Sequence, residues 1–362
     1  MKLLLVDSSY PINTRNIRLL ESLKKLFNNS LVGVCAWNRD GRSEVEQGNI
    51  EYHIFERRAA YGSPIKKVIA LFYYFFYLKK LNKHLKPDVL IASHWDMLFL
   101  CSIIKFRNQK LVYENLDLPT SANKLIRKIL DRLEARSLKK VDLIIFASRF
   151  FEKRYDFFNG PTAIVENLPV DFSENINKKY SYTSERLKIS FIGNVRYFDV
   201  MKNLIDSIEE LDVEVLFWGE GPDLNRLKLY AQNNNRIKFF GKYEYSNIRD
   251  IYELSDLVWA VYPSLDYNVK YAISNKFYEC FKYCRPGIFA KNTFLAELIE
   301  QDKVGFTVNP YDKGEIRSLI SRILSNSNEI DMCKINISKF EGKKAWEDNE
   351  SILRDCFENL SK

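Results

Sequence analysis

The feature of this sequence that most constrains its fold is an alternation, carried through twice, of short apolar runs with longer helical patterns. Such runs, rich in β-branched and aromatic residues, are typical of βαβ units, in which helices cover both faces of a parallel sheet. In the first half, strands are predicted at residues 2–6, 31–35, 88–92, 110–113, 142–146 and 163–165.

The second half repeats this plan, with strands predicted at residues 188–192, 214–218, 237–240, 257–261, 287–290 and 305–308. A chain of 362 residues is long enough for two domains of roughly 100–200 residues each. Residues 171–186, rich in Ser, Asn, Lys and Tyr, are interpreted as the linker. We therefore predict an α/β protein with one Rossmann-like domain over residues 1–172 and another over 173–344, facing each other across a cleft.

The amino terminus and the cysteines favour a cytoplasmic protein. The apolar run at residues 3–6 is too short for a signal peptide, and no small-residue cleavage site follows it. The longest apolar run, residues 68–78, is shorter than the roughly 20 residues that a membrane span needs. Six scattered cysteines without a C-x-x-C pair favour reduced thiols over a disulfide framework.

Positive charge is concentrated in the first half of the chain. Residues 1–172 hold 28 Lys and Arg against 18 Asp and Glu, a net charge of +10, whereas the rest has a net charge of −2. Two stretches carry most of the excess: residues 63–86, where lysines flank an aromatic run, and residues 122–140. An anionic membrane surface would attract the cations of the second stretch, although a solvated helix face explains them equally well, and core burial explains most of the aromatic run in the first. Nucleic acid is not expected, because no common recognition motif is present.

The second half contains two glycine turns directly after predicted strands. Gly193 and Asn194 follow the first strand, with Arg196 and Lys202 shortly after; Gly219 and Gly221 follow the second. Glycine lets the backbone approach a phosphate, and the amino end of a helix favours anions. The turns are therefore candidates for diphosphate binding, and tight turns that need a positive φ are the structural alternative.

A third motif, Ser274-Asn275-Lys276-Phe277-Tyr278-Glu279, begins a predicted helix. Lys276 and Glu279 lie three residues apart and share a helix face. The lysine could neutralise a diphosphate, while a carboxylate can accept two ribose hydroxyls at once. A surface ion pair is the alternative interpretation.

The order of these motifs resembles the carboxy-terminal domain of the large GT-B glycosyltransferase family that contains many retaining hexosyl and mannosyl transferases. The matching runs, which lie in this order between residues 191 and 290, are FIGNVRYFDVMKNLIDSI, VLFWGEGPDLNRLKLYAQNNNRIKFFGKY, IYELSDLVWAVYPS and SNKFYECFKYCRPGIFA. The resemblance implies Arg196 and Lys202 at the donor diphosphate and Glu279 at the ribose. It also implies that the loop after Gly241, including Lys242, lies at the base.

One position departs from the family pattern, which usually has two glutamates eight residues apart, the first of them touching the donor sugar. Here Tyr271 stands at that first position. A subset of bacterial surface-polysaccharide enzymes has a similar N-K-x-x-E version of the motif. A smaller inverting group, the glucuronosyltransferases, also has a lysine in this motif. The anomeric outcome therefore stays open.

Candidates for handling the acceptor proton lie in the first half. Glu114 and Asp117 follow one predicted strand, and His94 and Asp96 follow another. A general base must come within hydrogen-bond reach of the acceptor hydroxyl, and residues at the carboxyl end of either strand are candidates for this role. Asp117 is the expected base if the enzyme inverts; if it retains, the donor phosphate can take the proton. A turn residue before a proline, and a solvent-facing imidazole, are the structural alternatives for Asp117 and His94.

The last helical pattern lies within residues 345–362. In the family that this chain resembles, the corresponding helix returns to pack on the first domain, and we assign it there on that basis. The sequence contains no D-x-D triplet, so no metal site is expected. Arg196, Lys202 and Lys276 would instead neutralise the departing diphosphate. No cofactor is expected beyond the nucleotide-sugar donor.

These features together predict a metal-independent glycosyltransferase of GT-B type. The expected donor is a UDP- or GDP-sugar, and the expected acceptor is a glycolipid or a polyprenyl-diphosphate-linked saccharide in surface-polysaccharide synthesis. Two alternatives stay open: a catalytically silent nucleotide-binding or scaffold protein, and a nucleotide-sugar epimerase.

Overall fold

A computed structural model describes the chain except residues 28–30, 42–49, 60–63, 121–122, 171–179, 181, 183, 341–344 and 362. The chain divides into two compact units, one of Met1–Asn167 with Trp346–Lys362 and the other of Leu168–Ala345. Most of the stretch interpreted as the linker lies outside the described residues.

The first unit is an α/β unit with a seven-stranded parallel sheet in the order β3-β2-β1-β4-β5-β6-β7. Its strands are β1 (Lys2–Asp7), β2 (Leu31–Asn38), β3 (Glu51–Glu56), β4 (Val89–Ser93), β5 (Lys110–Asn115), β6 (Leu143–Phe146) and β7 (Thr162–Ile164). Its helices are α1 (Thr14–Leu26), α2 (Pro64–Leu85), α3 (Trp95–Ile104) and α4 (Lys124–Leu138).

The second unit has a six-stranded parallel sheet in the order β10-β9-β8-β11-β12-β13. Its strands are β8 (Leu187–Ile192), β9 (Val213–Trp218), β10 (Ile237–Gly241), β11 (Leu257–Ala260), β12 (Gly287–Ala290) and β13 (Gly305–Val308). Its helices are α5 (Phe198–Ser207), α6 (Leu224–Tyr230), α7 (Ile248–Glu253), α8 (Tyr267–Tyr271), α9 (Asn275–Lys282), α10 (Phe294–Asp302), α11 (Lys313–Ser325) and α12 (Asn328–Lys339).

The central strands are buried along most or all of their length, because helices cover both faces of each sheet. Every residue of β4 and of β9 is buried, whereas the edge strands β3 and β10 are only partly buried. This burial explains why the central strands read as continuous apolar runs in the sequence. The prediction of two Rossmann-like α/β units is confirmed.

The last helix, α13 (Glu350–Ser361), belongs to the first unit and packs against α1. The indole of Trp346 donates to Ser22 Oγ at 2.9 Å, and Lys25 of α1 pairs with Glu350 at 2.8 Å. The chain therefore returns to its first unit after completing the second.

Ligands of open parallel sheets bind at the carboxyl ends of the strands, and the connecting loops at this edge carry the candidate residues of both units. In the second unit these are the loops after β8, β9, β10 and β11; in the first they are the loops after β1, β4 and β5.

Candidate functional site

The glycine turns of the second unit are packed backbone to backbone. Gly193 and Gly219 have φ values of 129° and 130°, which side-chain-bearing residues rarely adopt. A side-chain carbon on Gly219 would overlap the carbonyl of Gly193, and one on Gly221 would overlap the backbone of Val195. The amide of Gly193 donates to the Trp218 carbonyl at 2.8 Å, which ties the two turns together. Both the phosphate-approach and the tight-turn interpretations fit this geometry.

Lys276 brings a buried cation to these turns. Ser274 begins α9 by accepting the Lys276 amide at 3.2 Å, and the lysine side chain is only 8% exposed. Its Nζ lies 3.2 Å from the point where a Cβ of Gly193 would be, and 5.0 Å from the ring centre of Phe191. A fixed ammonium therefore lies directly against bare backbone at the carboxyl edge of β8.

Tyr262, which follows β11, is the hydrogen-bond partner of this lysine, with Nζ donating to its hydroxyl oxygen at 2.8 Å. Burial alone would raise the pKa of the Tyr262 phenol, but the charge and hydrogen bond of Lys276, with Ser274 and Arg196, lower it. The two cations therefore act together on this phenol. Arg196 is exposed, with its guanidinium 4.8 Å from the Tyr197 ring centre.

Glu279 lies one helical turn beyond Lys276 and is 5% exposed. One carboxylate oxygen accepts the Tyr245 hydroxyl at 3.0 Å, and the other accepts the Tyr252 hydroxyl at 2.8 Å. A carboxylate has about four acceptor positions, so both oxygens can still accept from a ligand. The two tyrosines hold the carboxylate in one orientation.

Lys202 makes different contacts. Its ammonium donates to Asp206 Oδ2 at 2.7 Å within α5, and Lys313 donates to the same oxygen at 3.2 Å. The hydrogen bonds to Asp206 and Tyr230 raise the pKa of Lys202. The first amide of α5, that of Phe198, donates to Asp223 at 3.1 Å, so this helix end already binds a carboxylate.

The other predicted ligand-binding residues are exposed. Asn194 lies in the first glycine turn, Asn275 is the first residue of α9, and Lys242 follows Gly241 at the end of β10. Tyr271, which stands where the family usually has its first glutamate, packs at a tilt against two aromatic rings, with its ring centre 5.0 Å from that of Phe294 and 5.3 Å from that of Tyr267.

In the first unit, the structure brings both proton-handling candidates together. His94 directly precedes α3 with a φ of 71°, and its Nδ1 lies 3.8 Å from Asp117 Oδ2. That distance is too long for a hydrogen bond, but it allows an ion pair once the imidazole is protonated. Asp117 is 55% exposed and His94 is 24% exposed, so both can be reached by a ligand.

Beneath them lies an ion pair whose basic partner the sequence did not single out. Arg15 Nε donates to Glu114 at 2.7 Å, and the two side chains are 5% and 0% exposed. Burial raises the pKa of the Glu114 carboxyl, while Arg15 and His94 oppose that rise. Both terminal nitrogens of Arg15 are buried without a hydrogen-bond partner among the described residues. Arg15 lies in the first turn of α1, at the end of the polar segment that follows β1, and this segment was the available signal.

Within the described residues, no cluster of three His, Cys, Asp or Glu side chains could hold a metal ion. The helices in the same part of the chain are too short or too polar to cross a membrane.

Residues 186–326 match the family model of the glycosyl transferases group 1. No curated protein matches this chain in sequence. The sucrose-phosphate synthase of Thermosynechococcus elongatus is 14% identical with a TM-score of 0.76, covering 100% of this chain and 99% of its own. HepE of Anabaena in complex with UDP-glucose is 16% identical with a TM-score of 0.69 and the same coverage. A UDP-N-acetylglucosamine 2-epimerase is 14% identical with a TM-score of 0.65, covering 100% and 98%. At such identities the structures share a fold.

Proposed function

We propose that this chain, a glycosyltransferase of GT-B fold whose residues 186–326 are a group 1 glycosyltransferase domain, uses a UDP- or GDP-sugar to extend a glycolipid or polyprenyl-diphosphate-linked saccharide. The reaction would serve the assembly of a surface polysaccharide. The observation that carries the proposal is the pairing on α9 of buried Lys276, against the glycine turns, with Glu279, held by two tyrosines.

The donor would bind at the carboxyl edge of the second unit. Its diphosphate would lie against Gly193, Asn194, Gly219 and Gly221, with Lys276 and Arg196 stabilising the negative charge that develops as the diphosphate leaves. Glu279 would accept both ribose hydroxyls. The loop at Lys242 and the side chain of Asn275 would contact the nucleotide. No cofactor and no metal ion are needed in this scheme, because fixed cations supply the charge.

The acceptor would bind at the carboxyl edge of the first unit. Asp117 would take the proton of the acceptor hydroxyl, and His94, at 3.8 Å, would orient that carboxylate or carry the proton onward. A lipid-linked acceptor requires the enzyme to work at a membrane surface, and the net charge of +10 over residues 1–172 supports peripheral contact with anionic lipid.

Nucleotide binding tests the donor site. UDP, GDP and ADP are each added to the protein, and its unfolding temperature is followed. A ligand at 100 times its dissociation constant adds about 2.7 kcal/mol to the free energy of unfolding. We expect UDP or GDP to stabilise the protein and Glu279→Gln to remove most of that effect.

Glu214→Gln is the matched control. Glu214 is also buried and also accepts a tyrosine hydroxyl, that of Tyr182 at 2.8 Å, but it lies at the start of β9, the opposite edge of the sheet. Stabilisation by the nucleotide should survive in this variant. Full stabilisation of Glu279→Gln, or none of the unmodified protein, would refute the assignment.

The similarity to a UDP-N-acetylglucosamine 2-epimerase favours a second candidate, epimerisation of the nucleotide sugar. An epimerase needs no acceptor, so incubation with the donor alone distinguishes the two. A transferase leaves the donor's sugar configuration unchanged, whereas accumulation of the epimer would favour the second candidate.

A further inference from the structure

Helix α2 of the first unit exposes an apolar stripe. Val68, Ile69, Phe72, Tyr73 and Phe76 lie at helical spacing along one face, and each is between 47% and 66% exposed. Soluble proteins rarely leave so many large apolar side chains together in water. In the described residues of the second unit, no helix exposes more than two large apolar side chains.

The opposite face of the same helix is also apolar. Ala70, Tyr74 and Leu78 are buried, and the Tyr74 hydroxyl donates to the Cys35 carbonyl at 2.9 Å. The helix is therefore anchored to its own sheet by one face while the stripe remains uncovered. A helix that is apolar all round is normally buried all round, so a further surface is needed to cover the stripe.

Positive charge follows the stripe along the same helix. At the same spacing, exposed Lys79, Lys80 and Lys83 continue the face of α2 towards its carboxyl end. Helix α4 repeats the combination, with Leu125 71% and Ile129 54% exposed. The exposed cations interleaved with them on α4 are Lys124, Lys128, Arg132 and Arg136.

The two helices lie on the same side of the first sheet. Helices α2, α3 and α4 connect β3 to β4, β4 to β5 and β5 to β6, each crossing in the same direction, and α3 contacts both neighbours. Both α2 and α4 begin at the carboxyl edge of the sheet, and all of these exposed apolar residues except Phe76 lie in the first half of their helix. Lys124 follows Asp117 in the same loop-to-helix segment.

We infer that this surface, the exposed faces of α2 and α4, docks on an anionic lipid bilayer. The inference rests on the proposed function in supplying a reason for docking, since a lipid-linked acceptor would meet the edge that carries His94 and Asp117. Apolar side chains would enter the boundary between headgroups and acyl chains, as those of interfacial helices do. The basic side chains would reach the lipid phosphates.

Charge decides between a bilayer and a second copy of the chain. A self-complementary interface would place the cations of α2 and α4 against one another or against the same cationic surface, which is unfavourable. A surface of anionic headgroups attracts all of them at once.

Flotation with lipid vesicles tests the inference. The unmodified protein is mixed with vesicles of phosphatidylcholine alone, or of phosphatidylcholine with phosphatidylglycerol, in the absence of nucleotide. We expect it to float with the second kind only, and to be released by high salt. Lys124→Gln with Lys128→Gln should weaken partitioning about fivefold per cation. Phe72→Ser with Phe76→Ser should weaken it on the order of tenfold per ring.

Leu229→Ser with Met332→Ser is the matched control, because both side chains are exposed apolar residues of the second unit, at 68% and 56%. This variant should float like the unmodified protein. The inference is overturned if the unmodified protein does not float, or if Phe72→Ser with Phe76→Ser floats undiminished. A concentration-dependent dimer that the same two serines dissociate would overturn it too, in favour of a second copy.

The flotation assay contains no nucleotide, and the nucleotide assay contains no lipid, so the two proposals fail independently. Flotation without any stabilisation by UDP or GDP would leave the docking surface standing and remove the donor site. Stabilisation by UDP or GDP without flotation would leave the donor site standing and remove the docking surface.

Discussion

The carboxyl edges of the two sheets differ in the groups they present. The edge of the second unit combines bare glycine backbone with Lys276 and Arg196, whereas the edge of the first unit presents Asp117 and His94 above a buried Arg15–Glu114 pair. In the first unit the buried cation is already compensated by a carboxylate. The same α/β plan therefore offers one edge suited to an anion and another suited to moving a proton.

The two edges also differ in how firmly their groups are held. Lys276 and Glu279 are both less than 9% exposed, and each is fixed by tyrosine hydroxyls. Asp117 is 55% exposed and its histidine neighbour is 3.8 Å away. Fixed groups at developing charge contribute most to catalysis, so substitutions in the second unit should cost more.

The largest effect is expected from Gly219→Ala. The new methyl group would overlap the Gly193 carbonyl, and φ at this position is 130°. Backbone strain and overpacking together should lower the free energy of unfolding by about 4 kcal/mol. Chemical denaturation of the variant and the unmodified protein measures this difference in the free energy of unfolding.

Gly241→Ala is the control for that substitution. Gly241 also has a positive φ, 74°, but a side-chain carbon there would meet nothing within 4 Å. Its cost should be about 1 kcal/mol, from backbone conformation alone. Equal losses in the two variants would show that the contact between the glycine turns does not hold this edge together.

The next effect is that of Lys276→Gln. Removing a fixed cation from the departing diphosphate should lower kcat/KM by about 10²–10³-fold, or roughly 3–4 kcal/mol of transition-state stabilisation. Steady-state kinetics with saturating acceptor measure the loss.

Lys202→Gln separates the sequence-based expectation from the structure. The family resemblance places Lys202 at the diphosphate, whereas its ammonium pairs with Asp206 in this structure. We expect kcat/KM to fall less than about tenfold, because an ion pair already engages the charge. A loss as large as that of Lys276→Gln would mean that the donor draws Lys202 away from Asp206.

The architecture was largely readable from the sequence, because buried parallel strands leave continuous apolar runs. Each predicted strand overlaps an observed one. The prediction missed β3, whose sequence Glu-Tyr-His-Ile-Phe-Glu has charged ends because it is a half-exposed edge strand. Its pairing with β2 is a tertiary effect that a short polar pattern does not specify.

The candidate site was readable in part. Local motifs identified the glycine turns and the Lys276–Glu279 spacing, because those signals lie within a few residues of each other. Tyr262 and Arg15 were missed as partners, since Tyr262 meets Lys276 from another element and Arg15 meets Glu114 across 99 positions. Pairings between elements depend on sheet order, which spacing does not reveal.

A pH-dependent stability is expected from the first unit, where Glu134 of α4 accepts the hydroxyls of Tyr113 and Tyr155 at 3.0 and 2.6 Å. Burial raises the pKa of Glu134 to about 7, against the opposing effect of these hydroxyls. At acid pH the carboxyl is neutral in both the folded and the unfolded chain. As the pH rises towards 7, only the unfolded chain ionises, so stability falls, by about 3 kcal/mol in total.

Glu134→Gln should remove that loss, because an amide oxygen can accept both hydroxyls without ionising. The variant should match the unmodified protein near pH 4 and exceed it in free energy of unfolding near pH 8, measured by denaturation at both values. Parallel pH profiles for the two proteins would show that Glu134 does not titrate between the folded and unfolded states.

The effect of Asp117→Asn should depend on the stereochemistry of the reaction. If the anomeric centre is inverted, the acceptor needs a base, and loss of the carboxylate should lower kcat by about 10²-fold, the low end for a general base because Asp117 is half exposed. If the centre is retained, the donor phosphate can take the proton and the loss should stay below about tenfold. Product NMR gives the configuration, and kinetics of the same variant give the loss. Inversion with an unimpaired Asp117→Asn would exclude this edge as the source of the base; retention with a hundredfold loss would mean that Asp117 acts on the substrate in another way.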